Sequence, residues 1–166
     1  MSYLNLNSKV TFGEKYIVDV RCLIQARRDE INAAATPNAT NNPFSVPDPA
    51  LHTQLLADAL IAGWTGCDDL ELMSVGIFCE PAPASEGGGL QMKDPEDGKV
   101  LGTLTGVNEL GEIPYSLANA QLIYKHADRA KFAHRLNEAS SRALEGLRLR
   151  KKLERASSGP SSPPSA

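Results

Sequence analysis

Aromatic side chains are scarce in this chain, with four Phe, four Tyr and one Trp among 166 residues. Its core must therefore be built mostly from Leu, Ile, Val and Ala. Cysteine is scarcer still. Cys22, Cys67 and Cys79 are odd in number and lack Cys-x-x-Cys spacing, which argues against both a disulfide framework and a zinc knuckle. No apolar run approaches the roughly 20 residues needed to cross a bilayer. The opening Met1-Ser2-Tyr3-Leu4-Asn5-Leu6-Asn7 lacks the basic-then-apolar layout of a signal peptide, so the expected compartment is the cytoplasm. On that reading, the acceptor-like Asn38-Ala39-Thr40 is a chance match.

The residue types that carry catalysis are present but badly spaced. His126 and His134 are eight apart, about 80° around a helix, whereas metal ligands on one helix sit three or four apart. Gly87-Gly88-Gly89 is not followed by the Gly-Lys-Ser/Thr of a phosphate loop, and no Gly-x-Ser-x-Gly elbow occurs. The cysteines have no histidine near them in sequence. Asp68, Asp69 and Glu71 can gather a cation, although acidic clusters at a helix end are more often solvated turns. The reading is that the chain is not an enzyme and carries no metal or other cofactor.

What is present is patterned. Val10 and Phe12, then Tyr16, Val18 and Val20, alternate with polar residues around Gly13-Glu14, which predicts a β-hairpin. From Cys22 the period becomes helical through Leu23, Ile24, Ile31, Ala34 and Ala35, until Thr36-Pro37 opens an Asn- and Pro-rich loop to Pro47. Asp48-Pro49 is a helix start, with a capping carboxylate ahead of a proline in the first turn. Leu51, Leu55, Leu56, Ala59 and Leu60 then form a stripe, and Gly63 or Gly66 is the expected stop. Leu72–Cys79 and Val100–Thr105 look like the arms of a second hairpin, with Pro81–Gly98 as a mobile excursion between them. Ser116 caps a helix running to about Ala127, and a long amphipathic helix follows from Phe132 to about Arg155. The fold class is α+β, mainly helical, as a single domain over 1–156 with an insertion at 70–110. The Ser/Pro-rich residues 157–166 form a disordered tail.

Charge is divided along the chain. Residues 1–116 hold seven Lys/Arg against sixteen Asp/Glu, and residues 117–166 hold ten against four. Such a split suits an anion-binding surface, an acidic partner, self-association of opposite ends, or simply a solvated helix face. The candidate anion-binding residues are Arg142, Arg148, Arg150, Lys151, Lys152 and Arg155. No aromatics are interleaved with them, which argues against stacking on single-stranded nucleic acid.

Two segments carry a resemblance. Gly63-Trp64, followed by Asp68-Asp69, and Gly111 with Tyr115-Ser116, then Asn119-Ala120 and Phe132, resemble the core pattern of tail assembly chaperones from long-tailed bacteriophages. The likeness covers Leu55 to Asp69 and Gly111 to about Leu144. It departs from the family in about forty inserted residues between Asp69 and Gly111. In that family a helix ends in Gly-Trp, an acidic turn follows, and an x-Pro-aromatic-Ser stretch opens the next helix.

The resemblance implies a helical adaptor in the host cell cytoplasm that coats the tape measure protein and recruits tail tube protein. It also implies that short and frameshift-extended forms can exist. The residues expected to meet a partner are Trp64, Tyr115, Phe132, Leu136, Ala139, Ala143 and Leu147. The plainer alternative makes Trp64 a core anchor and lays the Phe132–Leu147 stripe on the chain's own 51–60 helix. Rival readings are a virion structural protein, such as a head–tail connector or capsid-associated factor, and a nucleic-acid-binding accessory protein.

Overall fold

The computed structural model describes residues 7–37 and 44–157. The Asn38-Ala39-Thr40 acceptor match and the low-complexity tail beyond Ser157 lie outside them. The fold is α+β, with five α-helices and two three-stranded antiparallel sheets among the described residues. The first hairpin forms where the alternation places it. Strand β1 (Asn7–Phe12) pairs with β2 (Tyr16–Arg21), so Phe12 faces Tyr16 across the turn and Val10 faces Val18. Val10, Phe12, Tyr16, Val18 and Val20 are buried, as a period of two requires when one face meets the core, and Ile17 on the other face is half-buried.

Helix α1 (Gln25–Ala35) starts later than the periodicity suggests. Leu23 is buried ahead of it, whereas Ile24 and Ala34 are exposed. Helix α2 (Pro49–Leu60) begins as read, with the Asp48 carboxylate accepting from the Ala50 N–H. Its end is a correction. No glycine stops it. The chain leaves the helix at Leu60 and runs directly into strand β3 (Ile61–Thr65). There Val18 pairs with Trp64 and Val20 with Ile61, so β2 is the central strand. The ladder gives the backbone of Ile61–Thr65 partners that a longer helix would supply otherwise, and Ile, Trp and Thr suit a pleated, half-buried surface. Arg21 ties the two elements by donating to the carbonyls of Asp58 (2.9 Å) and Ile61 (3.3 Å) at the end of α2.

The inserted region is more ordered than expected. Leu72 lies on a short helix, α3 (Asp69–Met73), capped by Asp68, and not on a strand. Strands β4 (Phe78–Pro81), β5 (Leu90–Lys93) and β6 (Val100–Leu104) form the second sheet in that order. The stretch read as an excursion thus supplies the sheet's central strand. Met92 and Leu104 of this sheet are fully buried in the same apolar cluster as the first sheet.

Helix α4 (Leu117–His126) starts at Ser116, whose hydroxyl accepts from the Asn119 N–H at 3.1 Å. Asp128 then organises a tight turn. Its carboxylate accepts from Lys131 N–H and its carbonyl from Phe132 N–H, leading into α5 (Ala133–Ser157). The first part of α5 packs mainly on β1 and β2, less on α2. Ser140 is buried in that contact and accepts from the Leu23 N–H at 2.8 Å.

Candidate partner-binding surface

The two segments that carry the resemblance meet in space. The Trp64 indole N–H donates to the Ile113 carbonyl at 2.9 Å, and the Ile113 N–H donates to the Cys67 carbonyl at 2.8 Å. Tyr115 sets its ring edge-on to the Trp64 indole, with centroids 5.2 Å apart, and its hydroxyl donates to Ile61 carbonyl. The turn at Gly111, between Asn108 and Glu112, is closed by the Asn108 carboxamide, which accepts from the Leu110 and Glu112 N–H groups. The link continues through Asn119, which is buried. Its amide donates to the Thr105 and Pro114 carbonyls and its oxygen accepts from the Thr105 N–H, so all its strong hydrogen-bonding groups are used inside the protein.

Several residues expected to meet a partner are interior. Trp64 is 8% exposed and lies edge-on to Tyr16, in an aromatic cluster with Phe12, Tyr124 and Phe132. Phe132, wholly buried, sits 4.8 Å from the Phe12 ring, and Leu136 is wholly buried one turn later. The physical reason is scarcity. With few rings available, the chain gathers most of them in one place, where burial returns the most. Tyr115 is half-buried, as are Ala139, Ala143 and Leu147. The stripe therefore divides. Its first part is sealed against the first sheet, and its second part is only partly covered.

Beside that second part lies a groove of about 420 Å³, lined among others by Leu23, Ile24, Ala59 and Leu147, with Arg27 and Glu30 in its wall. Ile24 is 48% exposed there. The basic residues Arg142, Arg148, Arg150, Lys151, Lys152 and Arg155 are exposed on the helix beyond, where Arg142 pairs with Glu138 one turn back. Composition located these residues. The groove needed the fold, because Leu23, Ala59 and Leu147 come from three distant parts of the chain.

The groups weighed for chemistry are engaged structurally. Half-buried Asp68 accepts from Lys15 Nζ at 2.7 Å and caps α3, while Glu71, which is buried, accepts from backbone N–H groups of the first hairpin. Burial pushes the Asp68 carboxyl up, but the Lys15 hydrogen bond, the capping N–H groups and the Lys15 charge outweigh it and hold it below its ordinary value. Burial raises all three thiols, Cys79 to about 11, so they are protonated at neutral pH. Among the described residues, no group of three or more His, Cys, Asp or Glu is placed to hold a metal ion. No helix among them is long and apolar enough to cross a membrane.

The chain matches no family model, no curated protein and no solved structure.

Proposed function

We propose that this chain is a tail assembly chaperone of a long-tailed bacteriophage, acting in the host cytoplasm, that holds the tape measure protein and brings tail tube protein to it. The observation that carries the reading is the junction of the two motif segments through Trp64, Ile113 and Tyr115. Residues that are 49 apart in sequence and define the resemblance make one structural unit. That unit leads directly into Ser116, which caps α4. The partner surface is then the half-covered line Ala139, Ala143, Leu147 with the adjoining groove, and not Trp64, Phe132 or Leu136. An amphipathic helix of a tape measure protein suits such a groove, with apolar anchors spaced a turn apart.

Co-expression with the tape measure protein of the same genome tests this directly. The expected result is more soluble tape measure protein, co-purifying with this chain, and loss of both effects in Ala143→Arg/Leu147→Asp while the fold is retained. Unchanged solubility with no co-purification overturns the reading. Stoichiometric presence of the chain in purified virions would instead favour a structural component. The exposed basic end of α5 supports a nucleic-acid-binding reading, for which affinity must fall steeply with salt.

A further inference from the structure

The last turns of α5 carry a second apolar ridge that the stripe facing the core does not include. At 100° per residue, Leu149 and Leu153 lie roughly 160° and 120° around the helix from Leu147. The positions that would extend the stripe are instead charged, Arg150 and Glu154 among them. Leu149 and Leu153 are 59% and 61% exposed, and every residue from Arg148 to Ser157 is exposed. Lys152 and Arg150 flank the ridge on either side. This stretch holds five Lys/Arg and one Glu.

At a different place on the molecule, between α3 and the second sheet, lies a groove of about 500 Å³ with the opposite character. Met73 and Phe78 are its apolar walls, 51% and 41% exposed. Asp69, Glu80 and Asp94 line it as well, and Glu96 and Asp97 stand in the adjoining exposed turn. Two cations counter these five carboxylates: Lys93, paired with Glu80 at 3.2 Å, and Lys99. The groove is thus apolar inside and acidic around.

We infer that these two surfaces are complementary parts of one contact, in which the α5 end of one copy docks in the α3–second-sheet groove of a second copy. The ridge offers two leucines one turn apart, between cations. The groove offers two apolar walls between carboxylates. Pairing two α5 ends with each other would instead set cation against cation, which opposes a symmetric helix pair. Among the described residues both surfaces stand open, which leaves each able to meet a second copy. It is heterologous: each copy keeps one unused ridge or groove, and association either closes into a ring or continues. The contact uses a different face of α5 from the one assigned to the tape measure protein, so either assignment can fail without the other.

Sedimentation velocity of the full chain tests it, with helix content by circular dichroism as the folding control. At low salt the weight-average mass is expected to rise with concentration to roughly twofold or more above one chain. It should fall back toward 17.8 kDa as salt is raised. Two exposed-site variants separate this contact from any other. Arg150→Glu/Lys152→Glu alone and Asp69→Lys/Glu80→Lys alone should each sediment as single chains. Mixed together, they should associate again, because the unaltered ridge of the second variant then meets the unaltered groove of the first. A monomer at all concentrations overturns the inference. So does association that survives in either variant alone, or a mixture that stays monomeric while the unaltered chain associates.

Discussion

The Glu71 carboxylate, buried at the start of the inserted region, accepts a hydrogen bond at 2.8 Å from the backbone N–H of Glu14, in the turn of the first hairpin 57 residues earlier. A second N–H, from Lys15, lies 3.4 Å from the same oxygen. Gly13 makes the approach possible. A Cβ there would fall 2.1 Å from that oxygen, and its φ of +59° is one that side chains disfavour. Hydrogen bonds to a buried charge carry about 1.5–3 kcal/mol, so Glu71→Ala should cost about that much in chemical denaturation. Gly13→Ala should also destabilise. The double variant should cost less than the two single changes together, because removing the carboxylate removes the clash. Strict additivity would show that the contact does not hold the turn.

The neighbouring Lys15–Asp68 pair predicts a pH dependence. Asp68 titrates below its ordinary value of 3.8, so its stabilisation is present above that pH and is lost as pH falls through the lowered value. Lys15 titrates above 10.5, raised chiefly by the Asp68 hydrogen bond and charge, so its share is present below 10.5 and is lost as pH rises beyond. Asp68→Asn keeps a capping side chain but removes the charge. The advantage of the unaltered protein over this variant should therefore be level between those limits and vanish at both ends. The Lys15 side chain is 58% exposed, so solvent screens the pair and keeps this advantage small.

These contacts mark where the sequence was legible and where it was not. The first hairpin, the starts of α2 and α4, and the length of α5 are written in local signals: alternation, Asp48-Pro49, Ser116 and apolar steps of three and four. Strand β3 is not. The apolar run through Leu60 and Ile61 continues without a break, so nothing local separates the helix from the strand that follows. Strand β5 is four residues long and sits among glycines and prolines, too short for a period to emerge. Helix α3 has five residues and the same problem. For the candidate surface, periodicity identified Phe132, Leu136, Ala139, Ala143 and Leu147 as one face. It could not say what covers each, because the covering strands β1 and β2 lie more than a hundred residues away.

Trp64 tests how strongly the two motif segments depend on each other. Trp64→Ala removes a buried ring and should cost about 3–5 kcal/mol. Trp64→Phe keeps a ring against Tyr16 and Tyr115 but leaves the Ile113 carbonyl without the indole N–H, for about 1–3 kcal/mol. Hydrogen exchange should then show the Ile113 N–H, which bonds to Cys67, opening more readily in the Phe variant. An unchanged melting temperature in the Ala variant would place the indole outside the core.

Asn119 offers the sharpest test of the loop's anchorage, because a near-isosteric change reverses its chemistry. Its amide donates to two carbonyls, those of Thr105 and Pro114, while its oxygen accepts from Thr105 N–H. In Asn119→Asp the ionised carboxylate sets an acceptor against two acceptors in a buried site, so the folded state should favour the protonated acid, which can still donate one hydrogen bond. The folded pKa is then above the unfolded value. Stability relative to the unaltered protein should be highest in acid and fall as pH rises through the raised pKa, opposite in sign to the Asp68 contribution. Denaturation midpoints measured from acid to neutral pH read this directly. A variant whose deficit does not change with pH would mean that the Asn119 side chain does not face the two carbonyls in solution.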